Sequence, residues 1–258
     1  MTSKVETRDI AEGLFAAYET GQPIPKTDFD EVNDKSTAYS IQERVLSKKA
    51  ALNKDSHIGY KISLTSAETQ KMFSSETPLY GAFTATNVVE ESIELDKMIS
   101  PLIELELVFI VKEELSTEDS LESILQKTLV APGLEIPDSR FSDWFPKISL
   151  YQVIADSAVA GKVVIGKRTA QPSFNQLTNI KGTLKFNGEI IASGNSEEVL
   201  GNPVNAVKWL VDELASHGQT LKKGAIISSG TFILPKVLQK GKYEAEFKGI
   251  GEVVLNVV

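Results

Sequence analysis

The stretch PLIELELVFIV, residues 101–111, decides how this chain is read. Its Ile, Leu, Val and Phe content and the bounding proline predict a strand. Side chains along a strand alternate between two faces. Ile103, Leu105, Leu107, Phe109 and Val111 therefore share one face, which is plainly core. Glu104, Glu106, Val108 and Ile110 share the other, acidic at one end and aliphatic at the other. Two readings fit that second face. The sheet end protrudes into water and both glutamates are solvated, or it is covered and the paired carboxylates hold a divalent cation that removes their repulsion. A cation needs further oxygen ligands. The apolar run APGLEIPDSRF, residues 131–141, offers Glu135, with Asp138 and Arg140 behind it.

The rest of the sequence narrows the chemistry. The 258 residues contain no cysteine, so disulfides, thiolate nucleophiles and cysteine-held zinc or iron–sulfur sites are excluded. The only histidines are His57 and His217, and no G-x-S-x-G elbow is present. Oxygen ligands would have to do most of the work of holding any metal, which favours Mg²⁺, Mn²⁺ or Ca²⁺ over zinc or copper. A formal charge of -8 is the wrong sign for a nucleic-acid binder. No apolar run is long enough to span a bilayer, and the amphipathic N-terminus has no apolar signal core.

The first 56 residues read as a small helical portion. Ile10, Leu14, Ala17 and Tyr18 mark one helix, ended by Gly21 and Pro23; Ala38, Ile41, Val45 and Leu52 mark a second. Residues 57–258 read as a β-rich α+β body. Candidate strands are 58–63, 103–111, 163–165, 182–186, 225–228, 243–247 and 252–257. Asn187-Gly188 signals a hairpin. Helices are expected over 118–129 and over 203–217, the latter with Asn202 as cap, Pro203 in its first turn and Gly218 after its end. Within the body, Lys61 either snorkels outward or faces the carboxylates, where it can bind a substrate carboxylate or relay a proton. The SSGTF segment, with Ser229 and Thr231, is either an ordinary turn or a set of hydroxyls and amides that hold an anion.

GYKISLTS, PLIELELVFIV, APGLEIPDSRF, LGNPVNAVKWL and GIGEVVLNVV follow one another in an order and spacing that resembles one family. It is the 2-keto-4-pentenoate hydratase and 4-oxalocrotonate decarboxylase family of the fumarylacetoacetate hydrolase superfamily. The resemblance implies a mixed β-roll body, a Mg²⁺ or Mn²⁺ ion held by Glu104, Glu106 and Glu135, and Lys61 as the motif lysine. It implies catalytic roles for Lys61 and Glu135, and a substrate surface including Lys61, Ser63, Leu79, Asp156, Ser229 and Thr231. The substrate would be a small unsaturated 2-oxo acid. The enzyme would be a cytoplasmic homo-oligomer acting in meta-cleavage degradation of aromatic compounds. Three departures stand out. Ser63 replaces a motif glycine. TPLYGAF, with Leu79 and Tyr80, replaces a P-D-F-G loop and looks more like the decarboxylase branch. IADS keeps Asp156 but has Ser157 where the family has asparagine. An acylpyruvate-type C–C hydrolase and a non-catalytic binding protein of the same fold are the alternatives.

Overall fold

The computed structural model describes residues 4–29, 32–168 and 171–258. The strand Leu102–Val111 lies near the middle of an eight-stranded mixed sheet and is buried at every position except Ile110. The face carrying the glutamates is therefore covered, as the second of the two readings requires. Thr128–Ile136 pairs with it on one side and Ile226–Thr231 on the other, both antiparallel. Beyond Ile226–Thr231 comes His57–Ser63, parallel to it, and then Leu79–Thr84. Gly59 permits the close approach of the parallel pair, since a Cβ there would meet the carbonyl oxygen of Ile226 at 1.9 Å.

A second sheet is built on the hairpin Lys181–Phe186 and Glu189–Asn195, followed by Gly241–Phe247 and Gly251–Val257. Its last two strands pack against Thr128–Ile136. The apolar faces of both sheets feed one core with Leu105, Leu107, Leu134, Tyr243, Phe247 and Leu255. The helix Pro203–Ser216 buries Val204, Val207, Leu210, Val211 and Leu214, the stripe that its periodicity predicts.

The N-terminal helices Lys4–Thr20 and Lys35–Asn53 pack on one another and bury Leu14, Ala38, Ile41 and Val45 in the same core. Gln42 fastens the second helix to the body. Its amide nitrogen donates to the carbonyls of Tyr80 and Ile154, and its oxygen accepts from the Ala82 N–H. Leu52 is exposed, and Lys49 takes the place its stripe would continue into. The helix expected over 118–129 is shorter, Leu121–Gln126. From Thr128 the chain pairs with Val111, and ladder hydrogen bonds outcompete another helical turn.

Candidate metal centre

Strand register assembles the site. Glu104 lies directly opposite Glu135, and Glu106 lies opposite Gly133 on one side and Thr231 on the other. Ser228 faces Val108 across one ladder and Lys61 across the next. One sheet face thus carries Lys61, Ser228, Glu106, Glu104 and Glu135 from four adjacent strands. Each of the three glutamates offers an oxygen within 4.8 Å of the other two.

All four charged groups are buried: Lys61 is 1 % exposed, Glu106 1 %, Glu135 0 % and Glu104 8 %. Lys61 Nζ donates to Glu135 Oε2 at 2.6 Å. Glu106 Oε2 accepts from Ser228 Oγ at 2.5 Å and from the Gly230 N–H at 3.0 Å. Glu135 Oε1 is buried with no hydrogen-bond partner. Burial, with repulsion from Glu135, drives the Glu104 carboxyl well above the ordinary carboxylate range. The same two causes push Glu106 to about 8, opposed by Lys61, Ser228 and Gly230. Burial works against charge on Lys61, but attraction from Glu135, Glu104 and Glu106 outweighs it and raises its pKa.

With all three carboxylates ionised beside one ammonium, the buried cluster would carry a formal charge of −2, a costly state that the raised pKa values of Glu104 and Glu106 oppose. A divalent cation removes that charge and gives Glu135 Oε1 a partner. The all-oxygen donor set suits a hard ion. The residues present therefore fit a divalent cation, with Glu104, Glu106 and Glu135 to hold it.

Above the carboxylates opens a cleft. Lys61, Glu104 and Glu106 form its charged floor, Ser63, Thr65 and Thr231 lie beside them, and the remaining wall is largely apolar. Among the expected substrate-facing residues, the structure brings Lys61, Ser63 and Thr231 to this cleft. It does not bring Leu79, Asp156 or Ser229 there. Leu79 is 0 % exposed in the core beside Ser63, its cross-strand neighbour. Ser229 points to the opposite sheet face from Ser228 and donates to the Leu107 carbonyl at 2.8 Å. Asp156 is consumed by Arg140, forming an ion pair with its guanidinium and accepting from its N–H at 2.9 Å, and from Ser139 Oγ at 2.8 Å. In the EIPDSR run, Glu135 joins the carboxylate cluster and Pro137 lines the cleft; Asp138, Ser139 and Arg140 brace the backbone around them.

Two contributors escape a reading of the sequence alone: Ser228 and Gly230. The SSGTF segment marks their location, but a register shift between Ser228 and Thr231 decides which groups face Glu106. Gly230 sits there at φ +119°, and a Cβ would meet Thr65 Oγ1 at 2.3 Å. Only glycine can present its N–H from that conformation without displacing Thr65. Neither histidine lines the cleft. His57 opens its strand at the exposed end, and His217 follows the helix Pro203–Ser216.

No family model matches the chain. Individual proteins do. The chain is 33% identical over 260 residues to a 2-keto-4-pentenoate hydratase of Paraburkholderia phymatum, covering 98% of both chains. It is 31% identical to a 2-hydroxyhexa-2,4-dienoate hydratase of Comamonas testosteroni, covering 97% of each. Among solved structures, a 4-oxalocrotonate decarboxylase from Pseudomonas putida, complexed with magnesium and adipate, superposes with a TM-score of 0.90 at 26% identity. That match covers 100% of this chain and 99% of the other. A fumarylpyruvate hydrolase from Pseudomonas aeruginosa, in complex with Mn²⁺ and pyruvate, shares the fold at a TM-score of 0.60 and 17% identity, over 78% of this chain and 89% of its own.

Proposed function

The chain belongs to the 2-keto-4-pentenoate hydratase family, and from that premise we propose how its residues carry out the family's chemistry. It is a divalent-metal-dependent lyase of unsaturated 2-oxo acids, of hydratase or decarboxylase type, in meta-cleavage catabolism of aromatic compounds. The observation that carries the proposal is the convergence of Glu104, Glu106 and Glu135 beneath an otherwise apolar cleft. We assign Mg²⁺ or Mn²⁺ to these three glutamates, supported by the oxygen-only donor set and the Mg²⁺, Ca²⁺ and Mn²⁺ held by structural neighbours. A homo-oligomer in the cytoplasm completes the reading, on the strength of the family resemblance alone. Among the described residues, no helix is long and apolar enough to cross a membrane.

A bound divalent cation supplies Lewis-acid polarisation of a 2-oxo group. The chain's own residues do the rest. Ser228 and the Gly230 N–H fix one oxygen of Glu106, so the carboxylate presents its other oxygen without reorganising. Lys61 Nζ lies in the cleft floor as a cationic donor for the substrate carboxylate. Its contact with Glu135 Oε2 pairs an acid with a base, and we assign the proton relay to these two atoms. Ser63 brings a hydroxyl group to the cleft, whereas the Thr231 hydroxyl is held by Ile233, donating to its carbonyl at 2.8 Å. The apolar walls exclude water, which strengthens every charged contact at the floor. A C–C hydrolase that activates water with a histidine finds no histidine in this cleft.

The test is incubation with 2-hydroxypenta-2,4-dienoate and, separately, 2-oxohex-3-enedioate, following ultraviolet loss and CO₂. At least one should be consumed with Mg²⁺ or Mn²⁺, and chelation should abolish turnover. Full activity after exhaustive removal of divalent ions would overturn the proposal.

A further inference from the structure

The sheet face turned away from the carboxylates carries a second hollow. Tyr60 and Lys61 are neighbours on one strand and so point to opposite faces. Tyr60 lies opposite Ala82 and Ile62 lies opposite Tyr80, which puts both tyrosines on the face that the helix Lys35–Asn53 covers. Between that helix, this face and the turn at 218–225 lies a groove of about 720 Å³. It is large enough for a small organic ligand.

Aromatic rings wall the groove. Tyr39 stacks on Tyr80 with ring centroids 4.4 Å apart, Tyr60 meets Tyr80 edge-on at 5.6 Å, and His57 meets Tyr60 edge-on at 4.6 Å. Three of these rings have their polar ends occupied. Tyr39 Oη accepts from the Tyr80 N–H at 3.2 Å, Tyr60 Oη donates to Gln219 Oε1 at 3.1 Å, and His57 Nε2 meets the Gly59 carbonyl at 2.9 Å. Tyr80 is the exception. It is 4 % exposed, lines the groove, and its hydroxyl has no hydrogen-bond partner among the described residues. Burial, with smaller contributions from Tyr60, Glu213 and Glu43, raises the Tyr80 pKa, so the phenol keeps its proton and can only be satisfied by an acceptor. The charges along the groove favour an anionic one. Lys222 and Lys223 line it, exposed and without an ion pair among the described residues. The opposing charge is Glu43, which already accepts from Gln219 Nε2 at 3.3 Å. Burial lowers the pKa of His57 and keeps it neutral.

We propose that this groove is a second ligand site, separate from the cleft, and that it takes a small aromatic carboxylate whose ring packs on the tyrosine and His57 rings and whose carboxylate accepts from Tyr80 Oη under the pull of Lys222 and Lys223. An ammonium ligand is a donor and would leave the phenol unpaired. An uncharged arene would leave it unpaired as well. The carboxylate satisfies the buried donor and the two cations together, and the flat ring exchanges water for aromatic surface. The strand His57–Ser63 then serves two sites, Tyr60 on one face and Lys61 on the other.

Calorimetric titration with benzoate in the presence of chelator tests the groove apart from the metal-dependent cleft. Benzoate should bind at one site per chain with a Kd of about 1 mM or tighter. Cyclohexanecarboxylate, with the same charge and no flat ring, should bind at least about threefold weaker. Tyr80→Phe keeps the ring and its stack but removes the donor, and should weaken benzoate about tenfold. Lys222→Ala combined with Lys223→Ala changes only exposed side chains and should weaken it about threefold or more at low salt, with the difference shrinking as salt is added. Absence of benzoate binding, binding that appears only with a divalent ion, or unchanged affinity in either variant would overturn the proposal. None of these results bears on the lyase reading, which is tested by turnover.

Discussion

Ser228 Oγ donates to Glu106 Oε2 at 2.5 Å, across two strands whose residues lie more than a hundred positions apart in the chain. The Gly230 N–H reaches the same oxygen at 3.0 Å. One lone-pair-rich end of Glu106 is thus anchored while the carboxylate shares a tight cluster with Glu104 and Glu135. Groups that orient a metal ligand in this way are commonly worth about 10–100-fold in metal affinity. Ser228→Ala should weaken Mg²⁺ or Mn²⁺ binding by about that range, with Ser228→Thr recovering part of it. Chelator competition reads the affinity. Unchanged binding in the alanine variant would show that the contact does not orient the ligand.

Glu106→Gln removes one of three mutually repelling buried carboxylates. Metal-dependent turnover should disappear. The metal-free protein should become more stable near neutral pH, by on the order of 1–3 kcal/mol, because folding no longer has to force a proton onto a carboxyl whose pKa is pushed to about 8. Thermal unfolding in the presence of chelator checks this. A metal-free variant markedly less stable than the wild type would argue that Glu106 is held by contacts other than those described.

Lys49 provides a pH dependence far from the site. It continues the buried stripe of the helix Lys35–Asn53, with Nζ 3.7 Å above the centre of the Tyr18 ring. Burial, with repulsion from Arg140, pushes its pKa down to about 7, against a weaker pull from Asp55. Below that pH the lysine is charged in both folded and unfolded chains, and the burial penalty is present in full. Between about 7 and the ordinary lysine value of 10.5 the folded chain has released the proton and the unfolded chain still holds it. Folded stability therefore gains from this group as pH rises through that window. Lys49→Met should stabilise the protein at pH 6 by on the order of 2 kcal/mol and by clearly less at pH 9. Urea unfolding of both proteins at the two pH values measures it. An equal difference at both would mean the burial penalty does not titrate.

Asp156 is the partner of a buried guanidinium, and Asp156→Asn should act on folding. The loss of a buried partner charge is typically worth about 3–5 kcal/mol. The melting temperature should fall steeply. In the fraction that stays folded, the Michaelis constant for the substrate should hold near the wild-type value. A large rise in that constant without loss of stability would restore Asp156 to the substrate surface.

Much of the site was legible because its signal is local. The alternation of PLIELELVFIV places Glu104 and Glu106 on one face wherever the strand lies. Glu135 is conspicuous as an acid inside an apolar run, and Lys61 by its place in GYKISLTS. Leu79, Asp156 and Ser229 do not line the cleft, and one physical cause unites them: each has a partner that sequence does not display. Packing beside Ser63, the Arg140 ion pair and the Leu107 carbonyl respectively claimed them. The apolar wall was invisible for the complementary reason. Met72 and Phe73, Trp144 and Phe145, and Leu234 and Pro235 come from three distant segments, and only folding makes them one surface.

The sequence by itself determined the strand, the pair of carboxylates on one of its faces, and the exclusion of thiolate ligands that the absence of cysteine imposes. Tertiary structure decided the rest. Register across three ladders set Glu135 opposite Glu104 and Ser228 between Lys61 and Val108, and a bulge turned the Gly230 N–H onto Glu106. Periodicity within a segment fixes which way its side chains point relative to one another. The hydrogen bonds between segments alone fix what they point at.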